Sequence, residues 1–329
     1  MKKLLFAILL IIIFGCFGNC SEVLYTDFSV PVPYGISFGD EFPNTETDMN
    51  IVKSEGVDNS PCFKINYKFH NTGRYWTANF DLENINAEGF SFMAKGEQGE
   101  NLLVRWTDTT GEMFQADFNM QNNNWNRYEI SFEDVSKYAH WSGDNNGISD
   151  GALKSVCIGV SKISADEGEL YIDNISFAGN SKTLKNELSK MNLERLNFIL
   201  DTGKTGNLFY YGEELTGEIV PNVPITDLNA NLKLEFYDGF GNPIKTKIKN
   251  IYFSSKKKNT IALPDIKGFC EVKWTAKINN KNKSGSFSYA VIPDNSELCG
   301  KKDSYFGVIT HALSPDLARL VKRSGISYI

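Results

Sequence analysis

The chain has 329 residues, more than one hydrophobic core usually serves and comfortable for two. Aromatics at 13% and 27 glycines suit β-sandwiches, which pack rings and turn often. A formal net charge of −6 with no basic stripe makes a poor polyanion binder, which argues against nucleic acid as a partner.

The chain opens on a targeting pattern. Lys2 and Lys3 precede an unbroken apolar run from Leu4 to Phe14, the layout of an export signal. That run is shorter than the ~20 residues a membrane-spanning helix needs. Ile13-Phe14-Gly15-Cys16 resembles a bacterial lipobox, with Phe14 departing from the small residue usual there. Residues 1–20 are thus expected to be a signal segment with Cys16 lipidated, Cys20 being the second acceptor and plain cleavage the alternative. Both readings export the protein, either anchored by lipid to the cell envelope or secreted. Cys62, Cys157, Cys270 and Cys299 remain; their spacing matches no zinc pattern, and buried thiols and disulfides both stay open.

From about Leu24 to Phe177 short alternating runs are broken by Gly, Asn and Asp. Phe63/Ile65/Tyr67/Phe69, Phe90/Phe92/Ala94, Leu102/Val104/Trp106 and Val156/Ile158/Val160 each alternate with other residues, as half-buried strands do. Glu112 to Phe118, the Trp125-to-Phe132 stretch and Leu170 to Phe177 add three more. The pattern predicts an antiparallel jelly-roll sandwich over residues 22–178. Leu184, Leu188 and Met191 recur at helical spacing, so residues 181–197 are expected to form a helical connector at a domain boundary. Leu232/Leu234/Phe236, the turn Asp238 to Pro243, and the pair Val272/Trp274/Ala276/Ile278 and Phe287/Tyr289/Val291 predict an immunoglobulin-like sandwich over 198–293.

The pattern then changes. Tyr305 to Ile309 suits a strand buried on both faces. Ser314-Pro315-Asp316 can start a helix that carries Leu317, Leu320 and Val321 on one stripe, and Ile326 to Ile329 begins another strand. Residues 304–329 are expected to be the truncated start of a (β/α) barrel, since one such unit cannot bury its own faces.

Phe90 to Gly96, Trp125 to Asp134 and Gly168 to Ile175 carry a resemblance to the galactose-binding-like jelly-roll carbohydrate-binding modules, including the branch shared with complex I intermediate-associated proteins. Tyr289 to Pro293 followed by Ser304 to Val308 resembles the sandwich that precedes a clan A glycoside hydrolase barrel. The resemblance implies a polysaccharide- or oligosaccharide-binding region and spacer of an exported glycoside hydrolase, inactive as it stands because the catalytic carboxylates of such barrels come later. A complete surface glycan-binding lipoprotein and a protein-interaction scaffold are the alternatives.

Sugar rings stack on aromatic side chains while their hydroxyls take polar partners. Tyr75, Trp106, Tyr138 and Trp141 are the candidate glycan contacts, the last two with His140 in an expected loop; Trp125 reads as a core ring. His311, just past the first expected barrel strand, would face a sugar site in a full barrel. Asp27 and Asp173 would be neighbours if the first and last jelly-roll strands pair; the resemblance implies a structural Ca²⁺ there, against a reading in which Asp173 bonds a nearby amide. The chain carries no phosphate loop, zinc-protease motif or serine elbow.

Overall fold

The structure is a computed structural model and describes residues 21–37, 44–225, 228–253, 259–278 and 281–293. The expected signal segment with Cys16 and Cys20, the expected barrel start with His311, and Cys299 lie outside these residues. The chain divides between Arg195 and Leu196 into two compact units.

The first unit is built from β1 (Ser21–Thr26), β2 (Gly35–Ser37), β3 (Thr45–Val52), β4 (Cys62–Phe69), β5 (Tyr75–Ile85), β6 (Gly89–Gly96), β7 (Asn101–Thr107), β8 (Glu112–Asn119), β9 (Asn126–Ser131), β10 (Ala139–Ser142), β11 (Leu153–Ser161) and β12 (Glu167–Gly179). They form two six-stranded sheets. One runs β3-β4-β12-β6-β9 with β1 also on β12, and the other runs β10-β8-β7-β11-β5-β2. Every pairing is antiparallel. Alternation puts Phe63, Ile65, Phe90, Phe92, Leu170 and Ile172 of the β12 sheet in one core with Trp76, Phe80, Val104, Trp106, Phe114 and Ile158 of the β11 sheet. This is the sandwich the alternation predicts.

The first and last strands pair as expected, Ser21 opposite Gly179 and Val23 opposite Phe177. β12 takes β4 along its first half and β1 along its second, and its register on β6 slips between Asp173 and Ser176. At that slip Asn174 has φ 51°. Asn180 then caps α1 (Ser181–Arg195), its Oδ1 accepting from the Thr183 N–H at 3.1 Å. Leu184, Leu188 and Met191 join the sandwich core. The helix is therefore part of the first unit and not a free connector, and the boundary falls directly after it.

The second unit holds β13 (Phe198–Asp201), β14 (Leu208–Tyr210), β15 (Thr216–Pro221), β16 (Leu228–Asp238), β17 (Pro243–Phe253), β18 (Thr260–Ala262), β19 (Gly268–Ile278) and β20 (Lys281–Ile292). Sheets β13-β15-β18 and β14-β20-β19-β16-β17 supply its buried residues, among them Phe198, Phe236, Phe253, Val272 and Trp274. Phe198 stacks on Phe253 at 5.0 Å and meets Trp274 edge-on at 4.8 Å. The predicted turn is closed by Asp238, whose carboxylate accepts from the Phe240 and Asn242 N–H groups at 2.9 and 2.8 Å. Lys245, Lys247 and Lys249 lie opposite Phe236, Leu234 and Leu232, on the core side of edge strand β17. Inward lysines of this kind oppose pairing with another strand edge.

Candidate glycan-binding face

Whatever the β11 sheet does chemically, it does on its outer face, because the inner face is packed. β11 is central and pairs with β5 and β7. Its inward residues are Val156, Ile158 and Val160, and its outward residues are Ser155, Cys157, Gly159 and Ser161. The outward set is small throughout. At Gly159 an added Cβ would collide with the Trp76 carbonyl oxygen of β5, so glycine is required there. This leaves room for long side chains from the flanking strands to lie across the sheet.

Those side chains are Tyr75, Arg105 and Trp141. Tyr75 starts β5 opposite Ser161, Arg105 sits on β7 opposite Cys157, and Trp141 sits on edge strand β10 opposite Met113. The Arg105 guanidinium carbon lies 4.5 Å from the Tyr75 ring centroid and 5.3 Å from that of Trp141. One guanidinium thus links two partly exposed rings. A polar chain continues from it. Arg105 Nε donates to Gln115 Oε1 at 2.8 Å, Gln115 Nε2 donates to Asp117 Oδ2 at 2.8 Å, and Asn101 Nδ2 donates to Asp117 Oδ1 and Ser161 Oγ at 2.6 Å each. Flat rings flanked by amide, carboxylate and guanidinium groups can meet both the C–H faces and the hydroxyls of a sugar chain.

Trp141 is held from the inside. Its neighbour His140 points the other way, stacks on Phe114 at 6.0 Å and donates from Nδ1 to Glu112 Oε1 at 2.7 Å. Glu112 is 0% exposed and also accepts the Gly147 N–H at 3.0 Å and the Asn146 N–H at 3.1 Å. Burial by itself pushes the Glu112 carboxyl up. Bonding from Gly147, Asp144, Asn146 and His140 outweighs it and sets the group below the ordinary carboxylate range. Nearby Asp108, also buried, accepts the N–H groups of Thr110, Gly111, Glu112 and Asp150. Two buried carboxylates therefore pin the loop that follows β10.

The structure departs from four of the sequence expectations. Trp106 is 0% exposed, stacked between Phe114 at 5.3 Å and Phe132 at 5.6 Å, and cannot touch a glycan. Tyr138, partly exposed, meets the Trp106 ring edge-on at 5.2 Å and packs on the rim of the core. Trp125, expected in the core, is partly exposed on the outer face of the other sheet. His140 and Trp141 lie on a strand and not in a loop. Arg105, Gln115, Asp117 and Asn101 were missed as site residues, although each alternates with a core residue on its own strand.

Asp173 answers to the bonding alternative. It is fully buried where β12 leaves β4, and it accepts the Val57 N–H at 2.9 Å, the Ser60 hydroxyl at 3.1 Å and the Asn174 N–H at 2.7 Å. Burial raises its pKa, these three bonds lower it, and the Asp27 charge adds a smaller upward push. Asp27 also accepts the Ser29 N–H at 3.0 Å. Both carboxylates thus already hold protein donors. No group of three or more His, Cys, Asp or Glu among the described residues could hold a metal ion.

No family profile and no curated protein matches the chain. Among solved structures the chain is similar to a family 11 carbohydrate-binding module from Clostridium thermocellum in complex with a β-1,3-1,4-mixed-linked tetrasaccharide. That likeness has 18% identity and a TM-score of 0.38 and covers 49% of this chain and 96% of that one. It is also similar to an agarase, at 11% identity and TM-score 0.35, over 48% of this chain and 24% of that one. A third similar structure is a family 61 carbohydrate-binding module in complex with β-1,4-galactotriose, at 12% identity and TM-score 0.26, over 43% of this chain and 91% of that one.

Proposed function

We propose that the first unit binds an oligosaccharide or polysaccharide chain on the outer face of the β11 sheet. The observation that carries this reading is the Arg105 guanidinium set between the rings of Tyr75 and Trp141, with the Gln115–Asp117–Asn101 chain beside it. Tyr75 and Trp141 stack on sugar faces, Arg105 and Gln115 donate to hydroxyls, and Asp117 accepts from them. The second unit acts as a spacer, and the whole serves as an accessory region of an exported, lipid-anchored glycoside hydrolase. Weak glycan binding would then keep linked catalysis near its substrate by effective concentration. The export pattern from Lys2 to Cys16 and the strand-helix pattern after Tyr305 support that wider reading.

Affinity electrophoresis through a panel of immobilised plant and microbial glycans tests it. Retardation on at least one glycan, weakened by Tyr75→Ala and by Trp141→Ala, is the expected result. No retardation on any of them overturns it and favours a protein-interaction scaffold.

A further inference from the structure

The opposite sheet carries a second ring cluster that the β11 face does not use. Lys95 of β6 lies opposite Tyr171 of β12, which lies opposite Lys64 of β4. All three alternate with the core residues Ala94, Ile172 and Phe63, so they face outward. Trp125, just before β9, meets Tyr171 at 6.4 Å and 72°. The Lys95 ammonium sits 4.1 Å from the Tyr171 centroid and 5.3 Å from that of Trp125.

The charges here are unequally matched. Lys64 pairs with Glu169 at 2.8 Å, and the Tyr171 hydroxyl donates to the same carboxylate at 2.6 Å, which fixes the Tyr171 ring. Lys95 makes no direct ion pair among the described residues; its ammonium lies over the two ring faces, and the Glu169 carboxylate that Lys64 already holds senses its charge only at longer range. Ahead of Trp125 runs Gln121-Asn122-Asn123-Asn124; the Asn122 and Asn123 Oδ1 atoms already accept from Asn124, Asn126 and Gln98, which turns these two amides toward donating. A partly exposed ring, an ammonium with no carboxylate in direct contact and neighbouring amides together suit a sugar that also bears a negative charge.

We propose that Trp125, Lys95 and the 121–124 amides form a second glycan site, one that takes an acidic sugar. Trp125 stacks on the sugar's C–H face while Lys95 pairs with its carboxylate or sulfate. This site stands independently of the β11-face reading.

The test uses the whole chain carrying Trp141→Ala, which weakens the first face. Oligogalacturonate, a sulfated galacto-oligosaccharide and a neutral cello-oligosaccharide are titrated by calorimetry. Binding of at least one acidic probe, weakening as salt rises and reduced tenfold or more by Lys95→Gln, is expected, with no binding of the neutral probe. Which acidic probe binds identifies carboxylate or sulfate as the recognised group. Trp125→Ala should weaken binding similarly. Lys95→Gln, a surface change, keeps the test valid should Trp125→Ala fail to fold. Acidic probes that bind equally well to the Lys95→Gln protein, or that do not bind at all, overturn the second site and leave the first untouched.

Discussion

Trp106→Ala and Trp141→Ala should separate cleanly, because one ring is core and the other is surface. Trp106 has no exposed area and touches Phe90, Phe114, Phe132 and Tyr138 at ring distances between 5.2 and 6.1 Å. Truncating such a tryptophan removes its burial and leaves a cavity, a loss of about 3–5 kcal/mol. For a domain of this size each kcal/mol lowers the melting temperature by roughly 2–4 °C, so the fall should be on the order of 10 °C. Trp106→Phe should lose less, since the indole N–H it removes is buried without a partner. Trp141→Ala, on a partly exposed edge strand, should lose far less, about 1 kcal/mol, the worth of its contact with Arg105. It should nevertheless weaken glycan binding by at least about 1 kcal/mol, roughly fivefold in Kd. Urea denaturation and calorimetric titration of both proteins make the comparison. A Trp106→Ala protein that melts within two degrees of the parent yet loses glycan affinity would refute the packing argument.

Three further outcomes are expected. Glu112→Ala should loosen β10 and weaken glycan binding several-fold although Glu112 touches no ligand, with increased mobility of Trp141 measurable by fluorescence anisotropy. Acid should destabilise the first unit. Glu100, like Glu112, has its folded pKa lowered: burial raises it, but Ser164, Ala165 and Ile163 together pull it down further. A depressed carboxyl stabilises fully above its unfolded value of about 4.3 and loses that stabilisation as pH falls through the folded value. Urea midpoints should therefore drop below about pH 4.5, less steeply in Glu100→Gln. Finally, neither added Ca²⁺ nor a chelator should move the melting temperature; a Ca²⁺-dependent rise abolished by Asp173→Asn would show that a cation replaces one of the three donors on that carboxylate.

The fold was legible wherever large and polar residues alternate strictly, and the site was legible only in part, for a related reason. The run Leu102/Val104/Trp106 already points Trp106 inward and Arg105 outward, so the alternation that locates the strand also rules Trp106 out as a platform. Residue type alone points to Trp106 as a platform; its parity along β7 points to Arg105 instead. Trp76, Ala78, Phe80 and Leu82 alternate as well and mark β5, which holds Tyr75. Trp125 misled for the opposite reason: it precedes β9 and escapes the parity of that strand, so no periodicity assigns its face. The Glu112–His140 clamp was out of reach, because it depends on a loop returning N–H groups to a buried carboxylate. Spacing along the chain does not record that return.

The division of labour between the two sides of β11 explains why such a face can exist at all. Val156, Ile158 and Val160 pack between the sheets, so of the outward positions only Gly159, pressed against the β5 backbone, carries a packing demand. Were those outward residues large, they would stand up from the sheet and hold Tyr75 and Arg105 apart. Being Ser, Cys, Gly and Ser, they let side chains from β5 and β7 lie across them, and Cys157 ends up buried on a face that is nominally open. The burial raises its thiol pKa to about 11, so it stays a neutral part of the floor. The ring–guanidinium–ring arrangement is thus a consequence of what β11 lacks. A bulky residue at position 155, 157 or 161 would break it without touching the core.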